Sequence, residues 1–242
     1  MRCRPALFAA ALLAALPPTS PAAPADGDCV VLLHGLARTA RSMRRMAEAL
    51  AEEGYRVANV DYPSREHPIE ILAPLAVGRG LAACGDAPAV HFVTHSLGGI
   101  LVRQYTADRA IERLGRVVML GPPNRGSRAA DRWRGFPGYG WLNGPAGRQL
   151  GKGPDSVPLA LGPPDFEFAV IAGDRSIDPL TSAMLADPDD GRVSVADTRL
   201  PGMADFRVVH ASHAFMMRDA EVLRLVSHFL GHGRFPARED GS

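Results

Sequence analysis

In the stretch "HFVTHSLGGILVRQY", residues 91–105, an apolar run ends at Thr94, a helical pattern starts at Leu97, and Ser96 stands on the corner between them. A serine hydroxyl becomes a useful nucleophile only when a base takes its proton. The later segment "FRVVHASHAFMM" carries two candidate bases. His210 falls within the apolar run and reads as a sheet residue, whereas His213 follows the run, where a side chain can leave the sheet edge. An imidazole in that role needs a carboxylate to hold its tautomer and stabilise its charge. Asp178 in "AGDRSIDP" and Asp190 in "DPDDGRVSV" both precede His213 in loops, and position alone does not separate them. The other histidines have ordinary readings: His34, His91 and His95 lie near strand ends, His67 opens a helix, and His228 and His232 close the last one.

The corner at Ser96 offers more than a hydroxyl. "THSLG" nearly matches Gly-x-Ser-x-Gly, the tight strand-to-helix turn that holds a serine out into a site. Small residues are required two before and two after the serine, because strand and helix backbones pass close together. Gly98 and Gly99 meet that need; Thr94 departs from it. Leu97 opens the helix, so its N–H has no intrahelical partner and lies at the positive end of the helix dipole. An oxyanion formed by attack of Ser96 would find that donor already oriented. A second donor is expected from the N–H of Leu36 in "LLHGL", with Gly35 letting the backbone bend towards the serine. Nucleophile, base, acid and two donors are the parts of acyl transfer. They require no metal or organic cofactor, and the chain has no CxxC or Cys/His spacing suited to zinc.

Residues so far apart in the chain can meet only on a scaffold that gathers strand ends. "CVVLLHG" (29–35), "YRVANVDYP", "AVHFVT", "RVVML", "FEFAVIAG" and "FRVVHA" read as six strands. Helices are expected over 39–53, where Met43, Met46, Ala47 and Leu50 recur at helical spacing, over 68–84, over 97–114 with a stop near Gly115, and over 217–230. Strands alternating with helices predict a mostly parallel sheet covered on both faces. In such a sheet ligands bind beyond the carboxyl ends of the strands. The alternation fails over 121–165, a Gly/Pro-dense stretch holding Trp133, Phe136, Tyr139 and Trp141. It reads as a loop or small lid-like insertion, its aromatics either lining a pocket or pinning the loop to the sheet.

Composition bounds the alternatives. The chain has 242 residues, 46% hydrophobic and 22% charged, with net charge +1, which suits one domain with a sizeable core. No block of like charge points to nucleic acid. Arg2 and Arg4 precede "ALFAAALLAAL", a run too short to span a bilayer as a helix. With Ala23-Pro24-Ala25 behind it, residues 1–25 read as an export signal and 26–242 as the mature domain, periplasmic or secreted, with no transmembrane segment. Cys29 opens the first strand and Cys84 leads into the third. If those strands are parallel neighbours, both cysteines share one sheet edge, and an oxidising compartment would favour a disulfide.

With these residues assembled, the chain resembles the α/β-hydrolase superfamily, and within it the small bacterial lipases and esterases. The resemblance runs from about Cys29 to Leu230 and is carried by "VVLLHGLARTARSM", "FVTHSLGGILVRQY", "GPPNRGS" and "DDGRVSVADTRLPG...VVHASHAF". It implies the α/β-hydrolase fold and a serine hydrolase acting on a small acyl ester or lipid through Ser96, His213 and an acid. In such lipases the acid commonly sits in an Asn-Asp-Gly-hydrophobic-Val turn, which "DDGRV" matches with Asp190. The "NRGS" loop is implied to border the site, and no large cap domain interrupts the chain. A thioesterase, amidase or acyltransferase would use the same parts, and a non-catalytic relative would find its best support in Thr94.

Overall fold

The computed structural model describes residues 27–135, 138–183, 185 and 188–237; residues 1–25, expected to be an export signal, and Phe136 lie outside the described residues. β1 (Cys29–Leu33), β2 (Arg56–Val60), β3 (Val90–His95), β4 (Leu114–Leu120), β5 (Phe168–Gly173) and β6 (Asp205–Val209) form one sheet in the order β2-β1-β3-β4-β5-β6. Every neighbouring pair is parallel, so all six carboxyl ends share one edge. β1, β3 and β5 are buried at every residue. That is why β1 and β5 read as unbroken apolar runs rather than alternating ones, while β3 buries His91, Thr94 and His95 among its apolar residues.

The strand period of two divides the core. Cys29, Val31 and Leu33 of β1 face one side, with α2 (Ile69–Cys84) and α3 (Leu97–Asp108). Val30 and Leu32 face the other, with α1 (Arg44–Glu52) and α9 (Ala220–His232). The Cys29 and Cys84 sulfurs are bonded at the amino-terminal edge, with their Cα atoms 5.7 Å apart. Among the described residues no helix is long and apolar enough to cross a membrane.

Three expectations change. The helix expected over 97–114 ends at Asp108, where Arg109 turns extended, and Gly115 lies inside β4. Gly115 is small because a Cβ there would stand 2.6 Å from the ring of His91; it stops no helix. The helix expected from 217 begins at Ala220, because the Asp219 side chain accepts the N–H groups of Glu221 and Val222 and caps it. The stretch 121–165 is not a plain loop. It carries α4 (Arg128–Arg134), α5 (Tyr139–Arg148) and α6 (Val157–Ala160), with Ser127 and Ser156 capping α4 and α6. Two further short helices, α7 (Pro179–Ser182) and α8 (Val195–Thr198), flank the turn that holds Asp190.

Candidate active site

Ser96 sits between β3 and α3 with φ 53° and ψ −116°, its N–H donating to the Leu120 carbonyl at 2.9 Å. A non-glycine residue in that region stores about 1–3 kcal/mol of strain. Among the described residues only one other non-glycine has positive φ: Ala37, at 55°, on the loop leaving β1. Both strained residues line one cavity of about 800 Å³. Gly98 lets the helix reach the sheet, since a Cβ there would lie 2.6 Å from the Leu33 carbonyl oxygen. Leu97 is the first residue of α3 and is fully buried, so its N–H has no intrahelical partner.

The strand-end histidine and one acid are brought together. His213 Nδ1 lies 2.7 Å from Asp190 Oδ2. Asp190 Oδ1 accepts the backbone N–H groups of Arg192 at 3.0 Å and Val193 at 2.8 Å, and its carbonyl accepts the His213 N–H at 2.9 Å. The carboxylate is fully buried, whereas the imidazole keeps 13% exposure towards the cavity. Asp178 is engaged elsewhere: it accepts the Thr181 N–H at 3.1 Å and hydroxyl at 2.6 Å, capping α7. Those hydrogen bonds from Thr181 hold the Asp178 carboxyl below its usual range. His210 lies just past β6, exposed, with Nδ1 3.0 Å from Asp174.

The cavity gathers Ser96, His213 and Leu36 on one side and Trp133, Trp141 and Leu142 of α4 and α5 on the other. Both tryptophans of the insertion therefore line the cavity. Among the described residues the charged side chains of its lining are both arginines, Arg38 and Arg192. From the "NRGS" loop, Ser127 lines it too and donates its hydroxyl to the Arg192 carbonyl at 2.8 Å, tying that loop to the turn of Asp190. Among the described residues no group of three or more His, Cys, Asp or Glu side chains could hold a metal ion.

Two features were not visible in the residue pattern. Gly35 does not use the left-handed backbone open to glycine, as its φ is not positive, although its carbonyl closes the turn to Arg38. It makes room, because a Cβ there would stand 2.7 Å from His95 Nδ1 and 3.3 Å from Ser96 Cβ. His95 in turn donates Nε2–H to the His213 carbonyl at 2.9 Å. Its buried Nδ1 has no partner, and burial, the largest cause, holds its pKa well below the ordinary value and the ring neutral. The second feature is the segment leaving β2, whose Asp61, Tyr62 and Ser64 grip the loop that carries Leu36. β2 lies beside β1 in the sheet, which is the one signal that could have directed attention there.

Comparison with known proteins agrees with this architecture. The chain matches the alpha/beta hydrolase family over residues 30–227. No curated protein matches it. Among solved structures, the mature lipase BlEst2 of Bacillus licheniformis superposes with TM-score 0.61 at 20% identity, over 84% of this chain and 90% of that one. Phospholipase PlaB of Legionella pneumophila gives 0.67 at 19%, over 83% of this chain and 56% of that one. The metagenomic carboxyl esterase MGS0156 gives 0.62 at 20%, over 81% and 67%. With the match spanning most of its length, the chain belongs to the alpha/beta hydrolase family.

Proposed function

We propose that this protein is an exported serine hydrolase that cleaves carboxylic esters through an acyl-enzyme. The observation that carries the reading is the convergence on one cavity of a strained serine at a helix start and an imidazole hydrogen-bonded to a buried carboxylate. His213 takes the Ser96 proton at Nε2 while its Nδ1–H donates to Asp190. Ser96 attacks the ester carbonyl, and the N–H groups of Leu36 and Leu97 receive the oxyanion. His213 then protonates the departing alkoxide and activates the water that releases the acid.

The substrate is a small acyl ester or lipid with an apolar portion, in keeping with the tryptophan and leucine lining. Export to the periplasm or medium rests on the basic, apolar, Ala-Pro-Ala sequence of residues 1–25 and fits the Cys29–Cys84 bond. Ser96→Ala is the test of the chemistry. It should leave the melting temperature near that of the wild type and lower ester turnover by several orders of magnitude, and it should abolish labelling by a fluorophosphonate. A Ser96→Ala variant that still hydrolyses esters at near the wild-type rate would exclude the reading. Thioester or amide substrates hydrolysed faster than ester substrates would move the substrate class.

A further inference from the structure

Leu97 owes its free N–H to a helix start, but the other proposed donor, the Leu36 N–H, lies on a loop. Something must therefore hold its peptide. A trans peptide is planar, with C=O and N–H opposed, so whatever fixes the Gly35 carbonyl also fixes the direction of the Leu36 N–H. That carbonyl accepts from His34 Nδ1–H at 2.9 Å and from the Arg38 N–H at 3.3 Å. His34 is set by Tyr62 in three ways. The two rings stack with centroids 4.0 Å apart and planes 10° from parallel. The Tyr62 N–H faces Nε2 at 3.4 Å, which leaves the proton on Nδ1, and the Tyr62 hydroxyl donates to the His34 carbonyl. On the other side of Leu36, the Ala37 N–H donates to Ser64 Oγ at 3.1 Å, at the residue where the chain turns left-handed. Ser64 is tied back to Tyr62 through its own N–H, 2.8 Å from the Tyr62 carbonyl. Both side chains are buried.

We propose that Tyr62 and Ser64, just beyond β2, are positioning residues of the oxyanion hole, acting through His34 and Ala37 to aim the Leu36 N–H at Ser96. The proposal rests on the ester-hydrolase reading of the site. Without the Ser64 hydroxyl the strained turn at Ala37 loses its external partner. Without the Tyr62 hydroxyl the His34 carbonyl, at the start of the loop, loses its donor. In either case the donor's direction is looser and the transition state is bound less well, while ground-state binding in the cavity is left to other residues.

The test compares Ser64→Ala, Ser64→Thr and Tyr62→Phe with the wild type by ester kinetics, by affinity for an alkyl boronic acid, and by fluorophosphonate titration of active sites. Ser64→Ala and Tyr62→Phe should each lower kcat about tenfold, a fraction of the 10²–10³ that loss of a whole donor costs, with KM changed by less than about twofold. Boronate affinity should fall by the same factor as kcat, and Ser64→Thr, which keeps a β-hydroxyl, should recover most of both. Wild-type kcat and boronate affinity in Ser64→Ala and Tyr62→Phe would overturn the proposal. So would a loss that merely follows the titrated fraction of active sites or a lowered melting temperature. If the wild type is labelled at Ser96 and these variants behave like it, the positioning role fails and the esterase reading stands. If wild-type Ser96 is not labelled, the reading fails and the positioning role falls with it.

Discussion

Asp190→Asn is the sharpest test of the proposed triad, because the structure dictates which way the amide must face. Asp190 Oδ1 accepts two backbone N–H groups, from Arg192 and Val193, while Oδ2 meets His213 Nδ1 at 2.7 Å. Placing the amide NH2 against the two backbone donors would set donors against donors in a fully buried turn. The oxygen must therefore take the Oδ1 position and the NH2 must face His213. Nδ1 then has to accept, so the imidazole proton moves to Nε2, the atom that should take the Ser96 proton. The base is present, correctly placed and in the wrong tautomer. The expected loss in kcat is about 10⁴, or roughly 5.4 kcal/mol at 1.36 kcal/mol per tenfold, with a melting temperature near that of the wild type because the residues are isosteric. Steady-state ester hydrolysis measures the loss, and NMR of the imidazole nitrogens reads the tautomer. More than a tenth of wild-type kcat in Asp190→Asn would refute the reasoning, as would an equal loss in Asp178→Asn.

Three further outcomes are expected. Reducing the Cys29–Cys84 bond frees a loop with a sequence separation of 55 and should lower stability by about 4 kcal/mol on chain-entropy grounds; coincident urea transitions with and without reductant would contradict this. Burial is the largest cause lowering the pKa of His34, His91 and His95 from the ordinary value of 6.5. The unfolded chain therefore binds their protons more readily than the folded one, so stability should be level above about pH 6.5 and fall as pH drops from there towards 5. Denaturant midpoints that stay flat across that window would disprove it. Finally, Arg38 and Arg192 line the cavity, and Arg192 already lies 3.8 Å from Asp178, so the kcat/KM ratio for a carboxylate-bearing ester over its neutral analogue should fall about tenfold in Arg38→Ala. That is the effect of one charge pair at roughly 6 Å in a dielectric of about 40, and an unchanged ratio would count against it.

What the residue pattern revealed follows from what is local. β1 and β5 were legible because a strand buried on both faces is mostly apolar, and β3 because Val90, Phe92 and Val93 carry the same signal around its histidines. Ser96 was legible because it directly follows β3, and His213 because it lies just past β6 at the same sheet edge. Asp190 and Asp178 could not be told apart by position, since both sit in loops after β5. What separates them is where their hydrogen bonds go, two to Thr181 in one case and a closed turn plus His213 in the other. The helices of 121–165 were hidden because Gly144 and Pro145 interrupt α5 and no regular apolar face survives. They are fixed by distant partners, such as Arg103 donating to the Pro158 and Gly162 carbonyls. The grip of Tyr62 and Ser64 on the loop after β1 spans 27 to 28 residues of sequence, beyond the reach of any periodicity.

Thr94 is the one departure from the serine turn, and the structure shows how the fold absorbs it. The two glycines after the serine do different work. Gly98 answers to the backbone of β1: a Cβ there would press on the Leu33 carbonyl, which cannot move without breaking the sheet. Gly99 answers to Thr94: its Cβ would stand 3.2 Å from the threonine hydroxyl and 3.4 Å from the Met119 side chain. The space that a glycine at 94 would have provided on the strand is provided instead on the helix, one residue beyond the position the pattern requires. Thr94 is fully buried, and Ser96 keeps its left-handed backbone. A β-branched residue two before the serine therefore does not argue for a dead site, because what the turn needs is close approach of two backbones, and a glycine on either side of the contact supplies it.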